Sequence, residues 1–136
     1  MKIFALYSIV PFILSGYYVA SADEKHSAVK PEPRSGGWVK RHESFNERVA
    51  KGNVDLILIG DSITHGWEGQ GKEIWEQYYT KRNAVNLGIG GDRTQHVIWR
   101  LDNGNIKGIS PKAAVVMIGT NNSGNNTPQE IADGLK

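Results

Sequence analysis

Three short apolar runs recur along the chain, at 54–59, 84–89 and 113–118. Nearly continuous apolar runs of this length are typical of strands that are buried on both faces of a parallel sheet. Each run ends in glycine and polar residues, where a strand of that kind gives way to a loop. The pattern therefore predicts three buried strands.

Segments with helical periodicity lie before, between and after these runs. From Trp38 to Val49, apolar or aromatic side chains recur every three or four residues, and Gly52 is placed to end the helix. Similar patterns cover 72–79 and 93–102. Strands that alternate with helices predict an α/β protein, in which right-handed crossovers build a parallel sheet that helices cover on both sides.

The last residues predict the start of one more helix. Residues 127–130 (TPQE) form a capping box with proline at the first helical position, and Ile131 and Leu135 begin an apolar stripe. A three-stranded sheet whose last helix has only begun cannot bury both of its faces. We therefore expect residues 38–136 to be the N-terminal part of a longer domain.

The first 22 residues have the pattern of a secretory signal peptide. Lys2 precedes an apolar run from Ile3 to Leu14 that is too short to span a membrane, and residues 20–22 (ASA) offer a cleavage site. Residues 23–37 are polar and aperiodic, which predicts a flexible lead-in with little to pack. We expect an exported product, periplasmic or secreted, that begins at Asp23 and has no stable membrane anchor.

Charge and cysteine content remove several classes of partner. Of 16 lysines and arginines only Lys2 precedes the cleavage site, which leaves 15 basic residues against 14 acidic ones. A balance this close to neutral gives no reason to expect nucleic acid or an anionic membrane as a partner. The sequence has no cysteine, so neither disulfides nor thiol chemistry are expected.

Candidate chemistry lies at the ends of the three predicted strands. Ser62, Gly91 and Asn121 each follow one of them, and ligands of parallel sheets bind beyond the carboxyl ends of the strands. Ser62 stands at a strand-to-helix turn, where its hydroxyl can act as a nucleophile and its N–H as a donor. Gly91 can bring a bare N–H close to a ligand, and Asn121 offers a side-chain NH₂. One nucleophile and three donors predict acyl transfer to a small-molecule ester substrate.

Three blocks of sequence resemble those of the SGNH (GDSL-type) hydrolase family. They are residues 60–64 (GDSIT), 86–92 (NLGIGGD) and 119–122 (GTNN), in the family's order. Residues 38–136 are most similar to the catalytic subunits of platelet-activating factor acetylhydrolase and their bacterial relatives. The resemblance implies a three-layer α/β/α sandwich around a flavodoxin-like parallel sheet.

The same resemblance implies residue roles and an activity. Ser62 is the nucleophile and one oxyanion donor, Gly91 is the backbone donor, and Asn121 is the side-chain donor. The implied enzyme is a serine esterase without metal or cofactor, which hydrolyses short-acyl esters, acetyl first, through an acyl-enzyme at Ser62. The leaving group is a carbohydrate or a phospholipid-like alcohol, and the predicted export slightly favours the carbohydrate.

The general base is the part that these residues do not supply. The family takes its base from a D-x-x-H motif near its C-terminus, whereas the match here, Asp23 to His26, precedes the nucleophile and is read as chance. We expect the catalytic histidine and aspartate beyond Lys136, and we expect the present residues alone to be inactive. The alternative is a non-catalytic ligand-binding module that keeps the donors but lacks a base; the sequence beyond Lys136 discriminates between the two.

Other motif assignments fit the residues less well. The last glycine of a dinucleotide-binding fingerprint falls at Arg93, and the phosphate-loop spacing of 66–72 is followed by Glu73 where serine or threonine is required. Thr64 occupies the second glycine position of a nucleophile elbow. None of these three classes is indicated.

Two histidines and three tryptophans lie near the blocks. His65 and His96 are expected to be surface or supporting residues, since the family places its base downstream. Trp67, Trp75 and Trp99 could line an acyl or sugar pocket, although packing is the favoured role for each taken singly.

Overall fold

The structure is a computed structural model that describes residues 25–136. The predicted signal peptide, residues 1–22, lies outside the described residues, so export remains a prediction. Within the described part of the chain, none of the helices has the length and apolar character needed to cross a bilayer.

Within residues 25–136, five helices and three strands follow one another, and the strands and the four longer helices have the order that the sequence predicts. The helices are α1 (Gly37–Ala50), α2 (Ser62–His65), α3 (Lys72–Tyr78), α4 (Thr94–Arg100) and α5 (Pro128–Asp133), and the strands are β1 (Leu56–Gly60), β2 (Ala84–Gly88) and β3 (Ala113–Met117). Short 3₁₀ turns lie at Ser27–Val29, Gly66–Glu68, Thr80–Arg82 and Thr120–Asn122.

The three strands form one parallel sheet in the order β2-β1-β3. Gly60, the last residue of the central strand, is paired with Gly88 on one side and with Met117 on the other. All three carboxyl ends therefore lie at the same edge of the sheet. The predicted α/β class with a parallel sheet is confirmed.

An apolar cluster lies between one face of the sheet and helices α1 and α4. Its strand residues alternate along β1 and β2, as side chains that share one face of a sheet must. The cluster consists of Trp38, Phe45, Val54, Ile57, Ile59, Val85, Leu87, Ile89 and Val97.

The other face of β2 carries a polar contact to α2. Asn86 is buried, and its Nδ2 donates to the backbone oxygen of Thr64 at 3.0 Å. A Cβ on Gly88 would overlap the backbone nitrogen of His65, so glycine is required for α2 to lie against the strand end. The first residue of α2 is thereby fixed at the edge of the sheet.

The expected burial of the third strand is wrong. All five residues of β3 are exposed, including Val115 at 52%, Val116 at 54% and Met117 at 48%. β3 is an edge strand of this sheet, and within residues 25–136 no helix covers its apolar side chains. Apolar character therefore identified the strand correctly, but not its burial.

The expectation that the lead-in has little to pack is also wrong for its described part. Ala28 is fully buried, and its backbone oxygen accepts a 2.7 Å hydrogen bond from the hydroxyl of Thr94. Farther along, the backbone nitrogen of Glu32 donates to the backbone oxygen of Gln95 at 3.2 Å. The segment before α1 therefore packs on the start of α4.

The helix predicted over 93–102 and the capping box predicted at 127–130 are both found. The helix that begins at Thr94 continues as a π-type turn, Leu101–Asn105, and Gly104 ends it with a φ of 114°. At α5 the capping box is present in both directions: Glu130 N–H donates to Thr127 Oγ1 at 3.3 Å, and Thr127 N–H donates to Glu130 Oε2 at 2.8 Å.

Candidate active site

The structure brings the three predicted site residues to one edge of the sheet. Ser62 follows β1, Gly91 follows β2 and Asn121 follows β3, and β1 lies between the other two strands. The candidate nucleophile thus follows the central strand, and each of the other two candidate donors follows a neighbouring strand.

Ser62 is the exposed first residue of α2. Asp61, which precedes it, is the N-cap, and its Oδ1 accepts a 3.0 Å hydrogen bond from the backbone nitrogen of Ile63. An N-cap carboxylate satisfies one of the free N–H groups of the first turn and so fixes the turn that presents Ser62. The cap thus holds an exposed serine at the start of the helix.

Gly91 lies in a tight turn directly after β2. Its φ is 76°, a conformation that L side chains rarely adopt, and the backbone nitrogen of Asp92 closes the turn on the backbone oxygen of Ile89 at 3.2 Å. Gly91 itself is exposed, whereas Asp92 is fully buried. The turn therefore anchors one residue inside the domain and presents its neighbour at the surface.

Asp92 is held by three N–H donors. Its Oδ1 accepts from Trp38 Nε1 at 2.7 Å and from Arg34 Nη1 at 3.1 Å, and its Oδ2 accepts from Arg100 Nε at 2.9 Å. The side chains of Asp92 and Arg100 are both fully buried. Since a buried charge is tolerated only when it is paired and hydrogen-bonded, this arrangement fixes the backbone next to Gly91.

Asn121 connects the three strand ends. Its Nδ2 donates to the backbone oxygen of Asp92 at 2.9 Å and to Asp61 Oδ2 at 3.3 Å. The first contact orients the amide, and the second is the longer and weaker of the two. The adjacent Asn122 is fully buried; its Oδ1 accepts from the backbone nitrogen of Thr94 at 3.0 Å, which joins the loop after β3 to α4.

Within the described residues, neither histidine beside the blocks is hydrogen-bonded to Ser62, the candidate nucleophile. Ser62 Cβ and His65 Nδ1 lie 3.8 and 3.9 Å, respectively, from the position that a Cβ on Gly90 would occupy. Within residues 25–136, no hydrogen bond joins the Ser62 hydroxyl to a histidine ring.

His96 serves the start of α4. Burial lowers its pKa, and the charges of Arg34 and Arg93 act in the same direction, while Asp92 opposes them. Its Nδ1 accepts a 3.0 Å hydrogen bond from the backbone nitrogen of Arg93, so this atom carries no proton to donate to Asp92 Oδ1, 3.7 Å away. His96 is therefore a neutral capping residue in this structure.

A cleft of about 390 Å³ opens beside Ser62. Ile63, Trp67 and Gln70 lie along it. Trp75 stacks on Tyr79 behind Trp67 and does not line this cleft.

Trp99 has a different position from the other two tryptophans. It packs against Trp38 and His42, with ring centroids 5.5 and 5.1 Å away, and so belongs to the core side of α1.

A larger cavity, about 720 Å³, lies between the end of α1 and the turn at 102–108, but it holds none of the predicted site residues. In the described part of the chain, no three histidine or acidic side chains come together as a possible metal site.

Comparison with known proteins identifies the class of protein that this fold and site define. Residues 58–135 match the GDSL-like Lipase/Acylhydrolase family, and the chain belongs to that family. This confirms the resemblance drawn from the three blocks.

Individual relatives extend the similarity toward the N-terminus. Human platelet-activating factor acetylhydrolase IB subunit alpha1 is 38% identical over 118 residues, which cover 83% of this chain and 50% of the relative. The alpha2 subunit of Rattus norvegicus is 40% identical over 99 residues, which cover 73% of this chain and 42% of the relative. The chain thus spans half or less of the length of these curated relatives.

Proposed function

We propose that these residues supply the nucleophile and the oxyanion donors of a serine esterase. The observation that carries the proposal is the hydrogen-bonded connection of the three strand ends, in which Asn121 contacts Asp92 beside Gly91 and Asp61 beside Ser62. Membership of an acylhydrolase family supports the same reaction class.

The reaction follows from the placement of these groups. Ser62 Oγ attacks the acyl carbon as a base takes its proton, and the carbonyl oxygen becomes an oxyanion. The N–H groups of Ser62 and Gly91 and the Nδ2 of Asn121 donate to that oxyanion. For Asn121, the oxyanion replaces the 3.3 Å contact with Asp61, while the 2.9 Å bond to Asp92 keeps the amide oriented. The protonated base then gives its proton to the departing oxygen, so that the group leaves as an alcohol, and water hydrolyses the acyl-enzyme to release the acid and restore Ser62.

The general base is proposed to come from a D-x-x-H motif beyond Lys136. Two observations support this assignment. His96 Nδ1 is occupied by a backbone N–H, and within the described residues His65 makes no hydrogen bond to Ser62.

The proposed substrate is a short-chain ester, acetyl first. The names of the relatives, which are acetylhydrolase subunits, support an acetyl group. The cleft along Ile63 and Trp67 offers apolar and aromatic surface for either a carbohydrate or a lipid-like alcohol. Export after cleavage before Asp23 is proposed on the pattern of residues 1–22 and favours the carbohydrate.

The test compares Ser62→Ala with the wild type, both expressed from the complete reading frame. Turnover of p-nitrophenyl acetate should fall nearly to background, and a serine-directed fluorophosphonate should label Ser62 alone. Ser44→Ala is the matched control, because Ser44 is also exposed but donates to the backbone oxygen of Arg41 at 2.7 Å, in its own helix. Labelling that survives in Ser62→Ala would refute the assignment, and ester binding without Ser62-dependent turnover would favour a non-catalytic binding module.

A further inference from the structure

The residues before α1 lie across both loops that carry the candidate oxyanion donors. We call residues 26–34 the N-terminal strap. In the strap, the backbone oxygen of Ala28 accepts a hydrogen bond from the hydroxyl of Thr94, at the start of α4. The side chain of Ser27 is hydrogen-bonded to the side chain of Asn126 at 3.0–3.3 Å. Thr94 follows the Gly91 turn, and Asn126 lies in the loop that follows Asn121. The strap therefore joins two parts of the site that come from different strands.

Arg34, at the end of the strap, is hydrogen-bonded to the Gly91 turn itself. Its Nη1 donates to the backbone oxygen of Gly90 at 2.9 Å and to Asp92 Oδ1 at 3.1 Å. Both of its Nη atoms lie 3.5 Å from the position that a Cβ on Gly91 would occupy. The guanidinium thus contacts the residue on each side of the candidate donor and lies against the donor residue.

The turn needs such a contact on its exposed side. Asp92 is already fixed from the interior by Trp38 and Arg100. Gly90 and Gly91 are consecutive glycines, however, and glycine has the widest backbone freedom of any residue. The bond from Arg34 to the Gly90 oxygen restricts the peptide units that determine where the Gly91 N–H points.

We propose that Arg34 is a positioning residue for the oxyanion hole, acting through the Gly91 turn and not on the substrate. The inference rests on the proposed esterase function. The Arg34 side chain is 37% exposed, so its removal leaves no buried cavity and no unpaired charge in the interior, since Arg100 still neutralises Asp92. Loss of Arg34 should therefore affect the placement of the donor more than the fold.

The experiment measures kcat and KM of Arg34→Ala and Arg34→Lys for an acetyl ester, in protein expressed from the complete reading frame. We expect kcat of Arg34→Ala to fall by about 10- to 10²-fold with KM nearly unchanged, because donor misplacement weakens transition-state binding selectively. The kcat of Arg34→Lys should lie between those of the wild type and Arg34→Ala, because the lysine ammonium keeps the positive charge but lacks the planar pair of N–H donors. Free guanidinium at millimolar concentration should partly restore Arg34→Ala.

A matched control and a second readout separate positioning from general damage. Arg48→Ala removes an arginine that donates to the backbone oxygens of Gly52 and Asn53, in the loop before β1, and it should leave kcat unchanged. Amide hydrogen exchange in Arg34→Ala should be faster across residues 88–92 and unchanged in α1.

Each contrary result has a distinct meaning. Unchanged kcat in Arg34→Ala, with wild-type turnover still dependent on Ser62, would overturn this inference alone. A raised KM at constant kcat would overturn it as well and make Arg34 a substrate contact. Wild-type turnover equal to that of Ser62→Ala would refute the proposed esterase itself.

Discussion

Replacing Asp92 with asparagine removes one negative charge from the interior and keeps the size of the side chain. The carboxylate is fully buried, and it is the anionic partner of Arg100, which is also fully buried. An asparagine oxygen can still accept from Trp38 Nε1. Its NH₂ group, however, must then face Arg100 Nε, a donor facing a donor.

The cost can be worked out from these contacts. One charge-assisted hydrogen bond is lost, worth about 1.5–3 kcal/mol, and the remaining cost is that of a buried guanidinium without a counter-charge. Breaking a buried ion pair by removing one partner costs about 3–5 kcal/mol in total. The contact to Arg34 adds little, because that side chain is 37% exposed. A domain of this size has roughly 5–15 kcal/mol to lose, so Asp92→Asn should be severely destabilised.

Urea unfolding followed by tryptophan fluorescence measures this cost. With a slope of about 2 kcal/mol per molar, the midpoint should move down by about 1.5–2.5 M. The control is Glu68→Gln, which neutralises the carboxylate of the half-exposed Arg41–Glu68 pair, whose shortest contact is 2.8 Å; it should cost at most about 1 kcal/mol. Equal effects of the two substitutions would show that burial of the Asp92–Arg100 pair does not determine its importance, and the reasoning would fail.

Three further predictions concern the site, acid stability and export. Asn121→Ala should lower kcat by about 10²–10³-fold with little change in KM; a raised KM at constant kcat would make Asn121 a substrate contact instead. Burial lowers the pKa of His42 and His96 below 6.5, so the unfolded chain binds more protons just below that pH. The contribution of these two histidines to the free energy of unfolding should therefore be constant well above pH 6.5 and be lost as the pH falls from 6.5 to the folded-state pKa values; a flat profile from pH 7 to 5 would contradict this. Mass spectrometry of the exported protein should give Asp23 as the N-terminus, and retention of Met1 would disprove cleavage.

The strands and caps could be predicted because their signals are local. The runs that became β1 and β2 are apolar in themselves, and the Thr127–Glu130 capping box lies within four residues. The approach of Ser62, Gly91 and Asn121 to one edge also follows locally, since each comes directly after a parallel strand. These features require no knowledge of distant contacts.

The strap and the exposure of β3 could not be predicted in this way. Arg34 bonds Asp92, 58 positions away, and nothing in the composition of 23–37 indicates that partner. The polar composition of this segment suggested a flexible lead-in, but polar residues also suit a segment that is hydrogen-bonded to neighbouring loops. For β3, the apolar run predicts a strand that is suited to burial. Whether the strand is buried depends on which elements pack against it, and the run itself does not contain that information.

The strap also has a consequence for the order in which the molecule can assemble. It is synthesised before every strand of the sheet. Its hydrogen bonds can form only later, because the partner of Ala28 is Thr94, 66 positions farther along the chain, and the partner of Ser27 is Asn126, 99 positions farther along. Closing loops of that length costs entropy that only the finished contacts offset. The strap is therefore among the first of the described residues to leave the ribosome and among the last to find its partners. Until it does, Arg34 is not in place on the Gly91 turn, so a growing chain carries Ser62 before the Gly91 turn has its contact with Arg34.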